Sequence, residues 1–162
     1  MDIFKEYENL KQNTEFKKFQ RDETNYYLVH VLIPDNNNSL EYGFYNPETD
    51  KITVFKTNPI EKQEEEDVFK EGKTIIKLDI DKVKLNTEEA LKKIKEIQEK
   101  EFSAEKIKKK IILLQTIQNE PCWNITMVCE SLNVINIRIN AETKEIMKKD
   151  KTSLMNMTKV MK

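Results

Sequence analysis

From Trp123 to Ile139 the side chains alternate in character, and few folds accept that pattern. Trp123, Ile125, Met127 and Cys129 fall on one side of an extended chain, with Asn124 and Thr126 on the other. After a short turn Ile135, Ile137 and Ile139 oppose Asn136 and Arg138. A period of two means strands, and a sheet with one apolar and one polar face needs another layer on its apolar side. The chain upstream supplies one. Asn86 stands three residues before Glu89, the spacing of a reciprocal helix N-cap, with Leu85 and Ala90 flanking it. Ala90, Leu91, Ile94 and Ile97 then repeat at helical spacing, while Lys92, Lys93, Lys95 and Glu96 take the other side. This helix is expected to fray near Phe102, and Ile111 to Gln118 reads as the strand that leads into the meander.

The first half reads in a similar way. Asp2 precedes a helical face of Ile3, Phe4, Tyr7 and Leu10. Thr14 to Glu23 reads as an edge strand carrying Phe16 and Phe19. Tyr26 to Ile33, Leu40 to Tyr45 and Lys51 to Lys56 are strands, separated by a Pro-Asp-Asn-Asn-Asn-Ser loop and an Asn-Pro-Glu-Thr-Asp turn. Residues 58–73, with Glu64 to Asp67 and Gly72, read as a solvated connector. Thr74 to Leu78 is ambiguous between strand and extended linker.

Two stretches match in order and type. Asn46-Pro47-Glu48-Thr49-Asp50-Lys51-Ile52 repeats as Asn140-Ala141-Glu142-Thr143-Lys144-Glu145-Ile146. Upstream, Tyr27, Val29, Val31 and Ile33 align with Trp123, Ile125, Met127 and Cys129, two residues further out of step. An even difference preserves the inward and outward sense of each strand. The expected architecture is therefore α+β: two related units, each an antiparallel meander with one helix across a face. Residues 1–57 and 85–162 form the units and 58–84 the connector.

A helix opening Thr87-Glu88-Glu89-Ala90-Leu91, an aromatic-led strand Trp123-Asn124-Ile125, and a strand running into Asn140-Ala141-Glu142-Thr143-Lys144-Glu145-Ile146 together resemble a PepSY-type domain. Residues 85–150 carry most of the resemblance, and the first half adds Tyr26-Tyr27 and its own turn, as in a tandem pair of diverged copies. The family turn reads Asp-x-x-Thr-Gly-Glu. Its Asp is Asn46 and Asn140 here, and its Gly is Asp50 and Lys144, so the resemblance implies positive φ at both latter positions. A lysine there should cost ~1–2 kcal/mol. The resemblance also implies a non-catalytic module of the kind that accompanies and regulates peptidases, with no catalytic residues to carry over.

Scarcity excludes much else. Two glycines, Gly43 and Gly72, cannot build a phosphate-cradling loop. One histidine and two cysteines fall short of a transition-metal ligand set. Cys122 and Cys129 would lie ~20 Å apart on opposite faces of a strand rising ~3.3 Å per residue, beyond disulfide reach. Lys and Arg number 28 against 29 Asp and Glu, which removes the basic surplus expected of a nucleic-acid binder. The sequence has no membrane span, and Met1 to Glu6 has no signal-peptide apolar run, so a cytoplasmic location with reduced thiols is expected.

Among candidate sites, His30 lacks a recognisable nucleophile or carboxylate partner. The acidic run Glu64 to Asp67 lacks the spacing of a calcium loop, and Lys106 with Lys108 to Lys110 is offset by Glu99, Glu101 and Glu105. Trp123 reads as a core anchor, and Leu154, Met155, Met157, Val160 and Met161 as a tail that packs or frays. The feature that stands out is a face of the first unit: Leu28, His30, Leu32, Leu40, Tyr42 and Phe44, apolar where the second unit is wet. It is either buried internally or a protein-binding or dimer surface. The expected function is a non-enzymatic protein-binding or regulatory module, inhibitor-like in kind and of unknown target, and the expected partner is an unknown protein or a second copy of the chain. The alternative is a small-ligand or lipid-binding protein with a pocket between helix and sheet. No cofactor, metal or catalytic residue is expected.

Overall fold

A computed structural model describes residues 2–35, 38–67 and 75–155. Three helices, α1 (Ile3–Gln12), α2 (Thr14–Asp22) and α3 (Thr87–Glu101), accompany strands β1 (Tyr27–Ile33), β2 (Glu41–Asn46), β3 (Lys51–Lys56), β4 (Glu61–Lys62), β5 (Glu66–Asp67), β6 (Ile107–Ile117), β7 (Glu120–Cys129), β8 (Asn133–Asn140) and β9 (Ile146–Ser153). The chain is α+β. Its strands form one antiparallel sheet in the order β4-β3-β2-β1-β6-β7-β8-β9, with β5 also paired to β3. The two halves are thus joined edge to edge: β6 pairs with β7 on one side and with β1 on the other, Val31 opposite Leu114 and Leu114 opposite Trp123. No described helix is long and apolar enough to cross a membrane.

All three helices cover the same face of this sheet. Ile3 and Leu10 of α1, Phe16 and Phe19 of α2, and Ala90, Ile94 and Ile97 of α3 share one core with Tyr42, Phe44, Leu114, Trp123, Ile125 and Ile137. One half of the expected reciprocal cap forms, the Asn86 side chain accepting from the Glu89 amide at 2.9 Å, while the Glu89 carboxylate pairs with Lys144 at 3.2 Å. Trp123 is fully buried and its indole N–H donates to the Leu85 carbonyl at 2.9 Å, which ties the meander to the segment entering α3.

The expected edge strand over Thr14 to Glu23 is instead helix α2. Asn13 ends α1 and caps α2, its side chain accepting from Glu15 and Phe16. The three-residue spacing of Phe16 and Phe19 puts both rings on one helical side, 5.9 Å apart, above Phe44 and Phe55. Only the second half therefore supplies a strand before its aromatic-led strand, and β6 occupies the position beside β1 that a first-half strand would fill.

The connector is partly structured. β4 and β5 fold back on β3. Residues 75–78 run without regular structure along the start of β1, where the Leu78 amide donates to the Leu28 carbonyl. Gly72, Thr74, Met157, Val160 and Met161 lie outside the described residues, and Leu154 and Met155 are exposed.

Candidate functional site

The six residues of the candidate apolar face do not share a face. Between Leu28 and His30 the β1–β2 register shifts, so Val29 is an extra residue in β1. A bulge of one residue reverses the sense of everything beyond it. Leu28, opposite Phe44, and Val31, opposite Tyr42, therefore both face the helices. Leu28, Leu40, Tyr42 and Phe44 are buried in the helix-covered core; the Tyr42 hydroxyl donates to the Ile3 carbonyl at 2.6 Å. His30 and Leu32 point to the helix-free side and are half-buried.

His30 sits beside a second consequence of the bulge. Its ring lies over Gly43, where an added Cβ would come within 2.2 Å of the ring carbon Cε1. Val29, Ile52, Ile75, Ile76, Gln115 and Thr116 surround it in a hollow of about 290 Å³. Burial lowers the imidazole pKa, which favours the neutral ring. The lining holds, among the described residues, no carboxylate or thiol, and its Thr116 hydroxyl donates to the Lys77 carbonyl at 2.8 Å. Among the described residues no three His, Cys, Asp or Glu side chains group as a metal site.

Cys122 and Cys129 are free and buried in one unbroken strand. Burial pushes the Cys122 thiol up to about 11, against a smaller opposing effect of Arg138. Their separation along β7 alone prevents bridging, so their free state says nothing about compartment.

A larger opening lies where α1, α2, β1 and the 75–81 segment converge. This cleft of about 610 Å³ has Leu28 and Phe44 at its base. Tyr7 of α1 and Tyr26 and Tyr27 at the head of β1 line it, with Gln20, Glu23 and Thr24 from the end of α2. Lys77, Leu78, Asp79, Ile80 and Asp81 complete the wall. Two of its walls are pinned by hydrogen bonds. The Tyr27 hydroxyl donates to the Ile75 carbonyl at 2.8 Å, and the Leu78 amide holds the strap to Leu28. Tyr26 packs against Phe19 at 4.7 Å and Phe44 at 5.6 Å between ring centroids. Tyr7 lies 6.5 Å from Phe44. Its phenol is pushed up to about 12, first by burial, then by Tyr26, Asp81 and Glu8, and stays neutral. Glu23 accepts from the Asn46 side chain, and the Asp79 carboxylate accepts from the Asp81 amide at 3.1 Å.

Sequence reasoning placed Leu28 and Phe44 among the candidates but missed this cleft. Its walls come from the C-terminal end of a helix read as a strand and from a strap without periodicity. The adjacent Tyr26 and Tyr27 were visible, but only as β-forming residues.

No family model matches the sequence, and no curated protein matches it. A crystal structure from Clostridium difficile 630, described as that of a putative lipoprotein, shares the fold with a TM-score of 0.52 at 15% identity, over 88% of this chain and 97% of that one. At that identity the likeness speaks for the fold alone.

Proposed function

We propose that this protein is a non-enzymatic binding module that takes a small amphipathic organic cation in the cleft between its helices and its sheet. The observation that carries the reading is the composition of that cleft: the rings of Tyr7 and Tyr26 beside an apolar base, with Glu23, Asp79 and Asp81 against a single Lys77. Aromatic faces attract cations through the ring quadrupole, and carboxylates at the rim add to that attraction. A volume of about 610 Å³ lies in the usual range for small-ligand sites.

Benzyltrimethylammonium is a suitable probe because it combines a permanent cation with an apolar ring. Calorimetric titration of the full chain should give saturable heat. Thr24→Trp, which fills the mouth from an exposed position, should abolish it without changing the unfolding temperature. Asp81→Lys should weaken binding by about tenfold, a change of about 1.4 kcal/mol. Absence of saturable binding, or equal binding by both variants, would overturn the reading.

The rival expectation of a protein-binding or regulatory module loses its surface at Leu28, Leu40, Tyr42 and Phe44, which lie beneath the helices. A partner would have to meet the helix-free side instead.

A further inference from the structure

The helix-free face of the second half has its own charge pattern. Three residues on neighbouring strands lie side by side: Asn124 of β7, Arg138 of β8 and Lys148 of β9. One row along, Asn136 lies beside Asp150. Like charges directly opposite on adjacent strands oppose pairing, and Arg138 and Lys148 are such a pair. Lys148 is partly answered by Asp150, with Nζ at 3.4 Å from the carboxylate. Arg138 is not: among the described residues it forms no ion pair, and its Nε is buried without a hydrogen-bond partner. The Asn136 amide donates to the Asn124 side-chain oxygen at 2.8 Å and to the Ile125 carbonyl at 3.0 Å. That bond occupies the Asn124 oxygen and leaves its amide nitrogen as a donor beside the guanidinium.

These groups line a hollow of about 250 Å³. We infer that it is an anion site for a single carboxylate, held by the Arg138 guanidinium with support from Lys148 and the Asn124 amide. Two cations against one Asp150 leave one positive charge, which matches a monoanion better than a phosphate dianion. A planar carboxylate also matches the guanidinium fork, which can donate two parallel hydrogen bonds. The volume suits a group of a few heavy atoms. The carboxylate can belong to a small acid or to a glutamate side chain, and the test separates these sources.

The chain has two arginines, Arg21 and Arg138, so an Arg21→Lys background isolates the Arg138 Nε–H signal in ¹H–¹⁵N spectra of the full chain. Titration with sodium acetate should shift that signal and the Asn124 side-chain amides saturably, while sodium chloride at equal ionic strength should not. Arg138→Gln should remove the Asn124 response, and Lys148→Gln should weaken binding several-fold. Asp150→Asn should tighten it, since it removes the competing carboxylate, and this sign distinguishes a site from general screening. An acetyl-capped triglutamate peptide that binds tenfold better than acetate assigns the carboxylate to a protein; equal or weaker binding assigns it to a small acid. Identical shifts in chloride, tighter binding of inorganic phosphate than acetate, or weaker binding by Asp150→Asn would each overturn the inference.

Discussion

The turns at Asn46 and Asn140 are built alike and mounted in opposite senses. In each, the first asparagine accepts from the amide two residues on and donates its side-chain N–H to a glutamate, Glu23 in one case and Glu120 in the other. In each, the fifth residue adopts positive φ, 59° at Asp50 and 70° at Lys144, and its amide returns to the asparagine carbonyl. Yet Tyr45, just before the first turn, faces away from the helices, while Ile139, just before the second, faces into their core. The even offset between the two alignments led to the opposite expectation. A turn is set by local side-chain bonds and backbone preference. Which way its strands face is set by packing, and here the Val29 bulge lets the first half present Tyr42 and Phe44 to α1 and α2.

The largest test of that contrast is the aromatic pair aligned by the repeat. Trp123→Ala should cost about 3–5 kcal/mol in urea unfolding, the usual loss for an aromatic removed from a packed core. Tyr27, its counterpart, is half-buried on the other face, and Tyr27→Phe should cost about 1 kcal/mol, the worth of its bond to Ile75. Comparable losses from the two hydroxyl- and ring-removing changes would mean the faces are not inverted.

Gly43 sharpens the point, because the residue aligned with it is Ile137 in the core. Gly43→Ala should cost about 1–3 kcal/mol by forcing the His30 ring off the strand. Adding His30→Ala should recover much of that loss. No recovery would place the strain elsewhere.

The two turns should then respond with opposite signs to one substitution. Lys144→Gly should raise the melting temperature, since relief of ~1–2 kcal/mol of left-handed strain exceeds the loss of an exposed ion pair with Glu89. Asp50→Gly should lower it, because the Asp50 carboxylate accepts from the Tyr45 hydroxyl at 2.6 Å.

The smallest effect concerns His30. Its folded pKa is lowered by burial, so the unfolded chain binds the proton more readily. Stability from this group is present above its unfolded pKa of 6.5 and is lost as pH falls through the lowered folded value. Unfolding curves of the wild type and His30→Gln should therefore diverge in sensitivity below neutrality. Parallel curves would mean that the ring is solvated.

The parts that were legible in the sequence share one property: side-chain character varied along them. The polar and apolar alternation from Trp123 to Ile139 fixed both strands and their faces, and Asn86 with Glu89 fixed the start of α3. The run Tyr27-Leu28-Val29-His30-Val31-Leu32-Ile33 is apolar at every position but one, so a one-residue bulge leaves no trace in it. The α2 helix was readable in principle from Asn13 as a cap and from the spacing of Phe16 and Phe19, but its polar remainder also suits an edge strand. The cleft and the Arg138 hollow depend on register between distant strands. The residues of both were visible; their proximity was not.

Strand β6 has a consequence for how the chain is made. Val31 finds its partner Leu114 about eighty residues later, and synthesis proceeds on the order of 5–20 residues per second. For several seconds β1 of the nascent first half has no β6 to pair with, and that flank is open to any neighbouring ribbon. A ribosome that pauses within the connector would prolong that interval, and the growing polypeptide would be most vulnerable to misassociation there.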